Sequence, residues 1–156
     1  MMNGMVKNNI TYKTIEGIPD SFELKQLEEL YESVFDDAQV GFFLKRIQEK
    51  EHICSIIAFE SKKPIGFKIG YHYNKTTFYS WVGGILEEYR KLGVGKKLAQ
   101  LQEQWAKDNF YSILRTKSMN RFKPMMILNI KNGFNIVDLY TNSSNQTKIV
   151  FEKNLI

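Results

Sequence analysis

The chain holds one cysteine, two histidines and three prolines in 156 residues, and each scarcity removes a class of reading. A single thiol cannot close an intramolecular disulfide, so no disulfide framework is expected. Cys54 sits in the apolar run Ile53–Phe59 and reads as a buried strand thiol rather than a nucleophile. No stretch is long and apolar enough to span a bilayer, and the opening MMNGMVKNN lacks the apolar centre of a signal peptide. A cytoplasmic location with no membrane partner is therefore expected. No basic run reaches the length of a nucleic-acid-binding arm. Lys and Arg nevertheless outnumber Asp and Glu by 22 to 17, a net charge of +5 that suits an anionic ligand such as a nucleotide cofactor. No metal site and no nucleic-acid partner are expected. A small basic nucleic-acid-binding module is the weakest rival and predicts salt-sensitive binding. No repeat, low-complexity tract or linker interrupts the chain, so residues 1–156 read as one domain.

What is present concentrates between Phe78 and Trp105: an apolar strand, a polar turn with two glycines, then an amphipathic helix. The turn is Arg90-Lys91-Leu92-Gly93-Val94-Gly95. A helix N-terminus leaves its first N–H groups unpaired and carries partial positive charge, which makes it an anion site. Gly93 and Gly95 permit close backbone approach, and Arg90, Lys91, Lys96 and Lys97 add cationic side chains around the nest. A diphosphate-bearing ligand is the physical reading. The competing glycine motifs fail: a P-loop needs Gly where Arg90 stands and Ser or Thr where Lys97 stands. A dinucleotide fingerprint needs a third glycine beyond Gly95, where Lys96, Lys97 and Leu98 follow.

In chain order, Ile10–Ile15 alternates as a first strand, and Asp20 with Glu23 forms a capping box before a helix facing inward through Leu27, Leu30, Tyr31 and Val34. A second helix is expected over Gly41–Lys50, with Phe43, Leu44 and Ile47 inward. His52–Glu60 and Pro64–Tyr73 read as a hairpin, and Thr77–Leu86 as a central strand apolar on both faces. In the second hairpin strand Gly66, Lys68, Gly70 and His72 share one face. Gly83-Gly84 within the central strand predicts a bulge or a close backbone approach. A helix over Val94–Asp108, a fifth strand over Tyr111–Lys117, and a helix capped by Asn120 follow. That last helix carries Pro124 in its first turn, presents Phe122, Met125, Met126 and Ile130, and stops at Gly133. Ile136–Tyr140 and Thr147–Lys153 close the chain as a hairpin.

This element order, with Arg90-x-x-Gly93-x-Gly95 after a strand ending Ile85-Leu86 and Lys131-Asn132-Gly133-Phe134 closing the later helix, resembles the GNAT N-acetyltransferase family. The first motif is similar to the family's [QR]-x-x-G-x-[GA] signature, and the resemblance spans roughly residues 10 to 153. It implies an α+β, three-layer α/β/α acyl-CoA N-acyltransferase fold, with a mixed, mostly antiparallel sheet of about seven strands splayed at a central bulge. It also implies acetyl-CoA as cosubstrate and a small-molecule or peptide amine as acceptor. Ile85 and Leu86 would offer backbone groups to the pantetheine arm, and an N–H of one of them would polarise the thioester carbonyl. Arg90, Lys91, Leu92, Gly93, Val94, Gly95 and Lys96 would wrap the diphosphate. Asn120 joins the cofactor-binding set.

Two departures from the family bear on the chemistry. Where many members place a tyrosine that protonates the departing thiolate, this chain has Asn129, which can hydrogen-bond but is no proton donor. Where members with a base on the central strand often place a glutamate, this chain has Tyr79. His72 and Tyr79 are the candidate bases, Tyr140 a further one through water, and Trp81 and Tyr79 flank the expected acceptor pocket. The activity implied is direct acetyl transfer to a primary amine in a ternary complex, with positioning and the oxyanion hole as the means of catalysis. The alternative is a catalytically weak acyl-CoA-binding sensor. A homodimer through an exposed sheet edge is a further expectation.

Overall fold

The computed structural model describes residues 9–156, so the signal-peptide reading of the first eight residues lies outside the described residues. The described residues form seven strands and four α-helices, with two short 3-10 turns. In order they are β1 (Ile10–Glu16), α1 (Ser21–Val34), α2 (Val40–Glu49), β2 (Cys54–Glu60), β3 (Lys63–His72), β4 (Thr77–Ile85), α3 (Val94–Asp108), β5 (Ile113–Met119), α4 (Lys123–Lys131), β6 (Asn135–Thr141) and β7 (Thr147–Asn154). The strands form one open mixed sheet in the order β1-β2-β3-β4-β5-β7-β6. β4 and β5 run parallel, while β1–β2, β2–β3, β5–β7 and β6–β7 are antiparallel pairs. This is the α+β architecture that the element order implies.

Contacts divide the chain into two compact units, Met1–Gly70 with Val82–Gln102, and Tyr71–Trp81 with Glu103–Ile156. In the first unit α1 begins as its sequence dictates. Asp20 Oδ1 accepts from the Glu23 N–H at 2.8 Å and Glu23 Oε1 accepts from the Asp20 N–H at 2.9 Å, pairing two donors that the helix end would otherwise strand. Leu27 and Leu30 of α1, Phe43 and Ile47 of α2, and Ile57, Phe67 and Ile69 of the sheet are buried together as core, with the Phe43 and Phe67 rings edge to face. Cys54 is buried as expected, and desolvation pushes its thiol up to about 12, so it stays protonated and inert at neutral pH. β2 starts at Cys54, so His52 belongs to the preceding turn, where its φ is +48°, and not to the strand.

In the second unit the fifth strand begins at Ile113, two residues later than expected; Tyr111 stands ahead of it, buried, with its ring 5.2 Å from Phe78. The β4–β5 ladder is short. It pairs Thr77 with Ile113, Phe78 with Leu114 and Tyr79 with Arg115, and just past it the Thr116 hydroxyl donates to the Ser80 carbonyl at 3.0 Å.

The expectation for the helix after β5 is corrected in two ways. Asn120 does not cap it: residues Asn120–Phe122 form a 3-10 turn, and Phe122 occupies the N-cap with no side-chain hydrogen bond. Asn120 stands two positions ahead of the N-cap, so its side chain is not at the position from which a cap reaches the first-turn N–H groups. Nor do Phe122, Met125 and Ile130 face inward; they are roughly half exposed, and Asn129 is the buried residue of α4. The apolar residues surround this helix and set no preferred face. Its end is as expected. Gly133 has φ +92°, the Phe134 N–H reaches the Asn129 carbonyl and the Gly133 N–H reaches that of Ile130, which is a Schellman cap.

A glycine turn at the start of helix α3

The phosphate-site candidate lies within the first unit and is assembled largely from backbone. β4 runs unbroken through Gly83 and Gly84 to Ile85, and both glycines are demanded by close approach. A Cβ on Gly84 would stand 2.4 Å from Val34 Cγ1, and one on Gly83 would stand 2.9 Å from the Phe67 carbonyl oxygen.

At the strand end the Leu86 N–H donates to the Ile65 carbonyl at 2.9 Å. That bond takes Leu86 out of the reading as an oxyanion donor. Peptide groups alternate sides along a strand, so the N–H and carbonyl of Ile85 point away from β3. The Ile85 carbonyl is met by Arg90, whose Nε donates to it at 3.2 Å.

A 3-10 turn over Glu87–Tyr89 carries the chain out of the strand. It is anchored by the Tyr89 hydroxyl, which donates to the Glu60 carboxylate in a short hydrogen bond, and by Lys63 Nζ, 5.4 Å from the Tyr89 ring centre. This anchor was not read from the sequence; it joins residues far apart in the chain.

Lys91 and Gly93 then take φ values of +69° and +82°, alternating with ordinary backbone, which turns successive N–H groups toward one side as a nest. Nothing crowds Gly93, so its conformation and not its size explains the glycine; Gly95 is the reverse case, since a Cβ there would meet Ile85 Cδ1 at 3.3 Å. The first helical bond of α3 runs from the Lys97 N–H to the Gly93 carbonyl at 3.0 Å. The N–H groups of Val94, Gly95 and Lys96 precede it and have no helical acceptor. Arg90, Lys91, Lys96 and Lys97 are all exposed around them, and Leu92 is exposed beside them. Backbone donors, helix dipole and four cations converge on one spot. The arrangement suits a diphosphate.

The first unit also holds Lys68, half-buried on β3, on the strand face it shares with Gly66 and Gly70. Desolvation lowers its amine to about 8, with no carboxylate among the described residues acting against that shift.

The remaining sequence candidates lie in the second unit, on two different faces of the sheet. His72 Nδ1 is 2.8 Å from the Tyr111 hydroxyl, and Tyr111 packs on Phe78, on the face where Phe78 meets Trp105 of α3. Tyr79 points to the opposite face, 5.3 Å from the Tyr71 ring, with the Trp81 ring also beside Tyr71. His72 and Tyr79 are thus not brought together, and His72 is a hydrogen-bonded neighbour of Tyr111. Asn129 is buried near the C-terminus of α4, with its carbonyl in the Schellman cap. Asn120 is exposed, and its carbonyl accepts from Lys123 Nζ.

Among the described residues no helix is long and apolar enough to cross a membrane, and no group of three or more His, Cys, Asp or Glu is placed to hold a metal ion.

Residues 19–121 match the model of the acetyltransferase (GNAT) family. No curated protein matches the chain. Among solved structures, the ribosomal-protein-S18-alanine N-acetyltransferase from Escherichia coli superposes with a TM-score of 0.76 at 11% identity, covering 93% of this chain and 94% of its own. A GNAT family acetyltransferase from Elizabethkingia anophelis with acetyl-CoA bound gives 0.75 at 19% identity, covering 95% and 99%. The IAA acetyltransferase from Bacillus cereus gives 0.73 at 17%, covering 94% and 99%. At these identities the structures speak for the fold.

Proposed function

Since the chain belongs to the GNAT acetyltransferase family, we propose that it is one transferase domain that moves the acetyl group of acetyl-CoA onto a primary amine by direct attack in a ternary complex. The observation that carries this reading is the nest at Lys91–Gly93 running into the unpaired N–H groups of Val94, Gly95 and Lys96. Phosphate oxygens accept from those N–H groups, while Arg90, Lys91, Lys96 and Lys97 neutralise the charge. The acetyl-CoA-bound relative supports the identity of the ligand.

Acetyl-CoA supplies an activated thioester; the protein positions it and polarises its carbonyl. With the Leu86 N–H held by Ile65, the Ile85 N–H is the backbone donor assigned to that carbonyl oxygen. The amine nitrogen forms the new C–N bond as the C–S bond breaks, the thiolate leaves with the sulfur electrons, and the amine proton passes to solvent. Tyr79 is the side chain retained as a relay for that proton. Asn129 is a hydrogen-bond donor to the leaving sulfur, not an acid, so orientation carries most of the rate.

The acceptor is a small molecule or a peptide amine. A cytoplasmic location belongs to the same proposal and agrees with a single cysteine that is buried and unpaired. The edge strand β6, exposed along its whole length, is where a second copy would pair. The absence of an acid at Asn129 favours one rival, a protein that binds acetyl-CoA without turnover.

The test is the melting temperature with and without acetyl-CoA, followed by thiol release over a panel of amines. A ligand bound only by the native state raises the midpoint. A shift together with turnover supports transfer, a shift with no turnover supports the sensor, and no shift overturns both.

A further inference from the structure

In the second unit helical segments pack on one face of the sheet. Phe78 packs on Trp105, Lys153 binds Glu103 of α3 at 2.8 Å, and Gly133 at the end of α4 lies against Lys153, so these helical segments sit on the face of Phe78, Leu114 and Lys153. The opposite face carries Tyr79 and Trp81 on β4, Arg115 and Lys117 on β5, Lys148 and Glu152 on β7, and Tyr140 on β6. Strand registers place them there: Tyr79 is opposite Arg115, Arg115 opposite Glu152, and Tyr140 opposite Lys148. Tyr79, Trp81, Arg115 and Lys117 are all half-buried, a state for side chains that wall a recess.

The charges on this face do not balance. Arg115 is committed: its Nη1 donates to Glu152 Oε2 at 2.7 Å and its guanidinium lies 4.6 Å from the centre of the Tyr73 ring. Among the described residues Lys117 has no hydrogen bond or ion pair; its Nζ lies 5.6 Å from the Tyr79 ring centre and 5.3 Å from that of Tyr140. Ring faces attract a cation but accept none of its three N–H donors strongly. The next carboxylate by register is Asp138, level with Lys117 but two strands away, about 10 Å at ordinary strand spacing. Asp138 is exposed and already accepts from the Leu139 N–H. Lys148 is no better matched, since its Nζ reaches only the Met119 sulfur at 3.5 Å.

Ligands of open sheets with parallel strands bind beyond the carboxyl ends of those strands. The β4–β5 ladder stops at Tyr79 and Arg115, and Lys117 is the next residue on that face of β5.

We propose that Lys117, held between Tyr79 and Tyr140, is a specificity residue for an acceptor amine that also carries a carboxylate. The proposal rests on the acetyltransferase reading above and adds the class of acceptor. The Lys117 ammonium pairs with the acceptor's acid group, and the tyrosine rings line the space around it. Lys148 extends the positive field. A cationic acceptor such as a polyamine would meet like charge. Free acidic amino acids and peptides beginning with an acidic residue share this chemistry, and the two arms of the test separate them.

The experiment uses the full chain as wild type, Lys117→Met and Lys117→Arg. Acceptors come in matched pairs with the α-carboxyl or C-terminal carboxyl blocked as the amide, glutamic acid α-amide against glutamine α-amide and Asp-initiated against Asn-initiated peptide amides. Two readouts are taken: kcat/KM from thiol release, and the melting shift produced by each acceptor in the presence of coenzyme A. The wild type is expected to favour the acidic member. Lys117→Met should lose that preference by about 10- to 100-fold, the worth of one charge-assisted contact, with the acetyl-CoA shift unchanged, and Lys117→Arg should restore part of it. A preference for the neutral member, a preference that survives Lys117→Met, or no greater shift with the acidic member of any pair overturns the proposal. Failure of acetyl-CoA alone to shift the wild type instead overturns the acetyltransferase reading, so the two failures are distinguishable.

Discussion

The turn at the start of α3 and the Tyr79–Lys117 face of the sheet in the second unit are built from different materials. The turn is made of backbone: positive φ at Lys91 and Gly93, free N–H groups ahead of Lys97, and glycines set by close approach. The face is made of side chains on separate strands, Tyr79, Lys117, Tyr140 and the Arg115–Glu152 pair. A backbone site tolerates change in its side chains and fails when its geometry is altered. A side-chain site shows the opposite sensitivity. The first suits a ligand common to a family, the second a ligand particular to one member.

Substitutions can break this contrast. The largest loss of stability is expected at Gly84→Ala, whose new methyl would press on Val34 Cγ1 at 2.4 Å. Overpacking of this kind costs about 1–3 kcal/mol. Adding Val34→Ala should recover much of it, a coupling that a double-mutant cycle by denaturant unfolding would read. Independent, additive losses would show that the glycine is not required for packing.

Lys68 tests whether the backbone-built unit hides a side-chain liability. Its folded-state value of about 8 lies below the ordinary 10.5, because burial disfavours the charged form. Between those two values the unfolded chain binds more protons, so this group makes stability rise as pH increases from about 8 toward 10.5. Below pH 8 the penalty is fully present. Cys54 acts in the other direction: its raised thiol makes stability fall above about pH 9, where the unfolded thiol ionises first. The difference between wild type and Lys68→Met isolates the amine. The variant should be more stable at pH 7 by on the order of 1–3 kcal/mol, with the gap closing by pH 10.5. A gap constant across that range would contradict the burial account.

A smaller effect is expected at Gly93, where φ is +82° and space is open. Gly93→Ala should cost about 1 kcal/mol and weaken the acetyl-CoA-induced melting shift, while Gly93→Asn, a residue that visits left-handed backbone more readily, should retain more of both. Equal behaviour of the two would remove conformation as the reason for this glycine.

Signals confined to a few neighbouring residues were legible in the sequence. The Asp20–Glu23 capping box, the start of α3 after Gly93 and the Gly133 cap each depend on residues within one turn, and each stands where it was read. The family motif lies in the same class. Misreadings came where local rules compete or fall silent. Asn120 is a good capping residue, but the chain makes a 3-10 turn there and caps at Phe122. In α4 the run Met125-Met126-Ile127-Leu128 gives no period, so which side is buried was not decidable, and the polar Asn129 took the inner place. Strand register is non-local. That Lys117 would lie between Tyr79 and Tyr140 depends on pairings among four strands, which no window of the sequence contains.

The Arg90 bond to the Ile85 carbonyl ties the first turn residue back to the end of β4. A carbonyl oxygen carries two lone pairs, so this one keeps acceptor capacity beside the guanidinium. On the acetyltransferase reading proposed above, a pantetheine arm would share that oxygen with Arg90 or release the guanidinium toward the phosphates. One side chain would then sense both ends of a long ligand.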